Sequence, residues 1–291
     1  MVKKASASQW LFDFLVAAFF AALSALFLYP LIYEIAVSFS DAGALFRHRG
    51  LLFYPLEFTA QAYRIVLKNQ YVASGFQNTL FVLIIGLALN LILTSIGAYF
   101  LSRKGVLLFR PIMLYILTTM YFSGGLIPFW LTVRNLGLYD SLWSLILPTA
   151  ISTYNMILLR SYFQTIPDAL TESVKIDGGG HLVTLFRIVM PLSLPAMAVM
   201  VLYYGVGHWN SWFNANIFLR TKALFPLQLI MRNMLINGTD LDVDSGTAGY
   251  EQIVETVKAA MVIITTLPIL IIYPFLQKYF VSGIMIGSLK E

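Results

Sequence analysis

The chain has 291 residues, of which 59% are hydrophobic and 11% are charged. A soluble domain is about a quarter charged, so this composition excludes an ordinary soluble fold and points to an integral membrane protein. The net charge of +5 is spread out with no Lys/Arg block, and there are no cysteines; a nucleic-acid-binding chain, a disulfide framework and a thiolate metal site are excluded with it.

In chain order, Met1-Val2-Lys3-Lys4 precedes the apolar stretch Trp10–Val37. A signal peptide has an apolar core of about 7–15 residues. This stretch is much longer and reads as a retained first span. Apolar runs of spanning length lie near residues 11–37, 78–102, 110–133, 142–163, 184–206 and 253–280. They predict an all-α integral membrane protein with six transmembrane helices, in one transmembrane domain over residues 1–291. Prolines 111, 128, 148, 191, 195, 268 and 274 lie within or beside these runs. Each removes a backbone donor and loosens a turn, which membranes tolerate where neighbours satisfy the freed carbonyl.

On this map Lys3, Lys4, Arg103, Lys104, Arg110, Arg160, Lys175, Arg187, Lys278 and Lys290 fall on one side of the membrane. They sit at helix ends, whereas the other side carries its charges in two long segments; the positive-inside rule counts span flanks. Both termini are therefore expected in the cytoplasm. The first long external segment, 39–74, holds an expected interfacial helix over Leu56–Leu67. The second, 207–252, ends in a solvated loop, Asn237–Gly246. Asp240, Asp242 and Asp244 there alternate, but the full calcium-loop pattern is absent. Asn237-Gly238-Thr239 fits the glycosylation pattern, which is short and common.

Between the fourth and fifth runs lies a polar island, Pro167–Gly180, within a connecting segment of about residues 165–181. Pro167 opens a helix, Thr165 is placed to cap it, and Asp168 sits near the positive end of its dipole. Ala169, Leu170, Ser173, Val174 and Ile176 form a small and apolar face at helical spacing. Glu172, Lys175 and Asp177 are polar handles, and Gly178-Gly179-Gly180 ends the helix with a left-handed turn before a new helix near His181.

This pattern resembles the coupling motif in the membrane subunits of binding-protein-dependent ABC importers. In that family the stretch reads roughly Glu-Ala-Ala, two residues, Asp-Gly-Ala, then Phe, Ile and two prolines. Glu172, Asp177, Gly178, Phe186, Ile188, Pro191 and Pro195 fall at those spacings, while Ser173, Val174 and Gly179 replace the alanines. Trp209-Asn210-Ser211-Trp212-Phe213 and the ending Gln277–Lys290 look like the carbohydrate branch, similar to MalG-like maltose and oligosaccharide permeases. These flanks resemble a subgroup that takes up oligosaccharides, some of them acidic and built from uronic acids.

The resemblance implies a type I importer permease with a cytoplasmic coupling helix, in a bacterial inner or plasma membrane. It implies a second homologous permease, two ATPase subunits that bind ATP and magnesium, an external solute-binding protein, and no cofactor in this chain itself. Glu172, Asp177 and Gly178, with Leu170 and Val174, would then form the contact with an ATPase.

Polar and aromatic groups inside spans are costly unless they face a cavity or a partner. Asn78, Asn90, Tyr115, Tyr121, Asn155, Tyr162, Tyr203, Tyr204, His208, Trp209, Asn210 and Asn214 meet that description. Aromatic faces with amide donors and acceptors suit sugars, but the same residue types also form interfacial belts and helix contacts. Asn155, Asn210, Trp209 and Tyr203 are the expected substrate-path residues. The phosphate loop, the His-Glu-x-x-His zinc motif and the Gly-x-Ser-x-Gly elbow are all missing, which counts against an enzyme. A permease for a non-sugar solute stays open. A stand-alone secondary transporter fits less well, since the spans carry almost no charges for ion coupling.

Overall fold

The computed structural model describes residues 7–103, 105–237 and 250–288. For residues 7, 237, 250–252, 276 and 278–288 it describes the backbone alone. Lys3, Lys4, Lys104, Lys290, the acidic loop after Asn237 and the side chains of the ending after Gln277 therefore lie outside the described residues. All regular structure among the described residues is helical.

The long elements are α1 (Ala7–Ser38), α2 (Gln70–Ser102), α3 (Phe109–Tyr121), α4 (Leu126–Asn135), α5 (Thr153–Phe163), α6 (Asp168–Ile176), α7 (Leu194–Trp209) and α8 (Tyr250–Ser288). Three helical stretches, Ser8–Ser38, Gln70–Ser102 and Ile253–Phe275, are long and apolar enough to cross a membrane. Two further apolar stretches pass the same test only as bent pairs, α3 with α4 at 111° and His181–Leu192 with α7 at 88°. The described residues thus hold up to five spans by length and composition.

Three expected spans are broken, each at a residue that explains the break. In the run 110–133, Phe122 is extended and Gly125, at φ 85°, starts α4. Residues 184–206 turn at Ser193, between Pro191 and Pro195, after a wide turn over Leu185–Val189. In 142–163, Pro148 confines the chain to short turns, Trp143–Ile146 and Leu147–Thr149. Ser152 is then extended and caps α5 afresh. The interfacial helix also starts later than expected, at Gln61, because Glu57 takes φ 46°.

The chain forms two compact units. The first comprises residues 1–69 and 233–266. Its core joins Ala36, Val37, Leu52 and Ala259. The turn after α1 is tied by Ser40, whose hydroxyl donates to Ala36 and accepts from the Leu56 amide. Phe39 stacks on Phe58, with centroids 5.3 Å apart.

The second unit comprises residues 70–232 and 267–291. Its axis is α2, whose buried residues include Gly75, Thr79, Gly86, Asn90, Thr94, Ala98 and Ser102. These recur about one helical turn apart, so they form one stripe of small and polar side chains. In lipid such a stripe lets helices approach closely and bond across. Gly97 shows the limit, since a Cβ there would lie 2.6 Å from the Met156 sulfur on α5. Asn78 donates to the carbonyls of Ala223 (2.7 Å) and Phe225 (3.2 Å), and Thr79 accepts from the Leu227 amide (2.9 Å).

Asp140 fastens two loops of this unit. Its own amide donates to the Phe218 carbonyl, and its carboxylate accepts from the Arg220 amide (2.8 Å), the Thr221 amide (2.9 Å) and the Thr221 hydroxyl (2.7 Å). Those bonds, the Thr221 amide first, hold its carboxyl below the ordinary value of 3.8. A depressed folded pKa stabilises fully above the unfolded value and is lost as pH falls through the folded one. Asp140→Ala is expected to speed tryptic cleavage after Arg220 and Lys222 at neutral pH. The wild type should resist equally at all pH values above about 5, with the clasp loosening only below 3.8. Equal cleavage rates for the two proteins would remove the clasp.

Candidate functional site

The break before α5 builds a cavity. Pro148 and the extended Ser152 leave the carbonyls of Thr149 and Ala150 and the amide of Ser152 without helical partners. Three side chains from other helices satisfy or steady them. The Asn90 amide donates to Thr149 (2.7 Å) and to Ala150 (2.9 Å). The Tyr204 hydroxyl accepts from the Ser152 amide (2.9 Å) and pairs with Thr94 (2.7 Å). The Asn90 carbonyl oxygen in turn meets His208 Nε2 at 2.6 Å. Gly86 makes this approach possible, for a Cβ at that position would lie 2.7 Å from His208 Nε2. Irregular backbone at membrane depth is tolerated where it lines a cavity or is buried in protein, and both conditions hold here.

The resulting open cavity has a volume of about 540 Å³. Asn155, Tyr203, Tyr204, His208, Asn210 and Asn214 all line it, with Ser152, Ser211, Trp212 and Phe213. Asn155 sits in the first turn of α5, behind the Ser152 cap. Tyr203 faces Tyr154 at 6.4 Å between ring centroids. Asn210 ends α7, and Asn214 begins the short helix Phe213–Phe218. The amides of Asn155, Asn210 and Asn214 make no side-chain hydrogen bond to another described residue. Three open amides among aromatic rings can exchange hydrogen bonds with hydroxyls while the rings cover apolar faces.

Trp209, the fourth residue expected on the path, lies elsewhere, as do several of the wider candidates. Trp209 is buried and turns the opposite way, against Phe76 at 6.3 Å and into a separate apolar cleft with Leu83, Leu87 and Tyr273. A residue at the last turn of a helix and one three positions later, past its end, need not share a face; Trp212 lines this cavity and Trp209 lines the apolar cleft. Asn78 and Asn90 are spent on backbone carbonyls, and Tyr115 and Tyr121 are exposed on α3. Ser152 escapes the sequence reading; the signal that could have found it is a capping residue type shortly after Pro148.

The second candidate element is α6. It runs over Asp168–Ile176 as expected, but Pro167 is its N-cap and Thr165 does not cap it. Thr165 lies too far back, and its hydroxyl donates to the Tyr162 carbonyl at the end of α5 (2.8 Å). At the other end Asp177 is the C-cap, and Gly178 has φ 78°. The amides of Gly178 and Gly179 donate to Lys175 (3.1 Å) and Val174 (2.7 Å), a glycine-terminated helix end. Thr171 is the buried residue of α6 and Val174 is half-buried, whereas Ala169, Leu170, Ser173 and Ile176 are exposed. Ile176 is 85% exposed, an unusual cost for a large apolar side chain outside lipid. Glu172 stands at a small polar cavity with Tyr99, Arg103, Lys175 and His181. The Tyr99 hydroxyl and His181 Nδ1 are 3.1 Å apart, which ties α2 to the start of the next helix.

The described residues form a helical, multi-pass membrane chain with a glycine-terminated helix between apolar stretches. No family model matches the chain. It is 39% identical over 282 residues to the polygalacturonan/rhamnogalacturonan transport system permease protein YtcP of Bacillus subtilis, covering 96% of this chain and 98% of that one. It is 37% identical over 281 residues to Protein LplC of the same organism, covering 96% and 95%. A crystal structure of a bacterial ABC transporter involved in the import of the acidic polysaccharide alginate contains a chain that matches with TM-score 0.88. That match has 32% identity and covers 96% of this chain and all of that one. The chain belongs to the permease subunits of carbohydrate ABC importers, in the MalG-like branch.

Tyr204→Phe removes one hydroxyl and leaves the Ser152 amide and the Thr94 hydroxyl without it. A polar group stranded in this way costs about 1–3 kcal/mol. The thermal unfolding midpoint of the purified transporter should fall accordingly. An unchanged midpoint would show that water replaces the hydroxyl and that the break does not depend on it.

Proposed function

We propose that the chain passes an acidic, uronate-bearing oligosaccharide across a bacterial cell membrane, and that the 540 Å³ cavity is part of the path. The observation that carries this reading is the set of three open amides, Asn155, Asn210 and Asn214, beside the rings of Tyr203 and Trp212. Sugars offer hydroxyls to the amides and apolar ring faces to the aromatics. The names of the relatives, one for polygalacturonan and rhamnogalacturonan and one for alginate, support an acidic cargo. A second homologous permease completes the path, an external binding protein delivers the sugar, and two ATPase subunits bind ATP and magnesium. This chain hydrolyses none itself. Both termini and α6 face the cytoplasm.

In the same reading α6 is the coupling helix. Leu170 and Ile176 present exposed apolar surface that a groove on an ATPase subunit would cover, with Glu172 and Asp177 as polar contacts at its edge. Gly178 sets the direction in which the chain leaves. Val174 is half-buried, and a Cβ on Gly179 would meet its Cγ1 at 2.5 Å.

Asn155→Ala and Asn210→Ala test the path. Both should leave the yield and thermal stability of the assembled transporter near wild type, since neither amide bonds within the described residues. Each should raise the sugar concentration for half-maximal uptake by several-fold, on the order of one lost hydrogen bond. Loss of assembly with normal uptake by the surviving complex would assign these amides to helix packing instead.

Coupling is tested at Gly178. A side chain at positive φ costs roughly 1–2 kcal/mol, more for a β-branched one, and Asn tolerates that region best after glycine. The space around a Cβ at Gly178 is open, so no clash confuses the result. Gly178→Val is expected to uncouple ATP hydrolysis from uptake in the assembled transporter, and Gly178→Asn to retain most of it. Wild-type uptake by Gly178→Val would exclude this helix end from coupling.

A further inference from the structure

His208 lines the cavity, and its hydrogen bonding is fixed by Asn90, which does not. The Asn90 amide nitrogen lies 2.7 Å from the Thr149 carbonyl and 2.9 Å from the Ala150 carbonyl. Carbonyls only accept, so the NH2 end of Asn90 faces them and its oxygen faces His208 Nε2 at 2.6 Å. An amide oxygen also only accepts. The proton of the neutral imidazole is therefore on Nε2, and Nδ1 carries a lone pair. Among the described residues no carboxylate lies within ion-pair distance of His208 to hold the ring as a cation.

Nδ1 is not sealed inside the protein. Among the described residues, the buried side-chain polar atom that lacks a hydrogen-bond partner is Ser193 Oγ. His208 bonds through Nε2 and not through Nδ1. Nδ1 therefore keeps an accessible surface, although the residue as a whole is only 8% exposed. The open space that His208 borders is the cavity. Turning the ring over would exchange Nε2 for carbon and break the Asn90 bond.

Each of the three open amides can present a donor or an acceptor by rotating. His208 has no such choice, because Asn90 takes its one proton. An ether oxygen or a carboxylate set against Nδ1 brings lone pair to lone pair, whereas a hydroxyl can donate to it. We infer that His208 Nδ1 accepts a hydrogen bond from a hydroxyl of the passing sugar and so fixes which edge of the sugar faces α7. The inference rests on the reading of the cavity as the sugar path. It assigns an acceptor of fixed direction to a wall whose amides impose none, and it turns the carboxylate of a uronate unit away from His208.

The test uses the assembled transporter in nanodiscs without the binding protein, with the histidine nitrogens isotopically labelled for NMR. The His208 signals are assigned by their loss in His208→Gln, or in His208→Phe if the first variant does not assemble. The sugar-free transporter should show a neutral ring protonated at Nε2. Saturating trigalacturonate should shift the Nδ1 signal to that of a hydrogen-bonded acceptor and leave Nε2 in place. His208→Phe should bind trigalacturonate about two- to tenfold more weakly, the scale of one neutral hydrogen bond. Loss of the Asn90 bond would also weaken binding in that variant, but it cannot shift Nδ1 in the wild type.

A proton on Nδ1 in the sugar-free ring overturns the inference. So does an Nδ1 signal that stays in place while trigalacturonate binds, or an unchanged affinity in His208→Phe; in both cases the cavity remains the sugar path. Absence of trigalacturonate binding by the wild type sinks the cavity reading itself, and the inference with it.

Discussion

The second unit is organised around one side chain. Asn90 donates to the two carbonyls that Pro148 and the break before α5 leave open, and its oxygen takes His208 from α7. Its three bonds join α2, the broken segment and α7 at one point. Without them, buried backbone groups would be left without a partner, at a cost of about 1–3 kcal/mol for each. A continuous helix through 142–163 would need no such partner. The break and its repair are therefore one feature, and the broken segment supplies part of the cavity wall.

The same logic explains why α2 is so unlike the helices around it. Its inward stripe trades apolar bulk for glycine, threonine and asparagine. Gly86 admits the His208 ring, Gly97 admits the Met156 side chain, and Thr79 satisfies the Leu227 amide. Apolar burial between helices gains little in lipid, where tails are as apolar as leucine. Close approach and hydrogen bonds carry the association instead, and both need small or polar residues.

What was legible in the sequence was local. Proline and glycine act on their own backbone, so α6 and the left-handed Gly178 could be placed from the residues alone. The apolar runs were legible as runs, but mean apolarity does not register a turn of 111° at Gly125 or of 88° at Ser193. Asn155, Tyr203 and Asn210 were singled out because amides and tyrosines in spans need a reason, and one cavity collects them. The partners of the other polar residues were out of reach. His208 and Asn90 are 118 positions apart, and Tyr204 and Thr94 are 110 apart, so no periodicity relates them. Trp209 and Trp212 were separable only once α7 was seen to end between them.

The cavity and α6 are joined by short, stiff elements. α5 begins at Ser152 and Asn155 on the cavity wall and ends at Phe163, four residues before Pro167. At 1.5 Å per residue it spans only about 16 Å. The return path from His181 through the bend at Ser193 ends at His208 and Asn210, again on the cavity wall. Phe163, Ile166, Leu185, Val189 and Tyr204 belong to one buried cluster, so neither path has slack in which to absorb a displacement. Packed interiors shift as bodies rather than deform. On the proposed reading, a push on α6 by an ATPase would move both walls that carry the open amides. Gly178 and the break at 148–152 are where the backbone can take up the change in direction, and at Gly178 a single φ of 78°, which glycine adopts without a side-chain penalty, sets the angle.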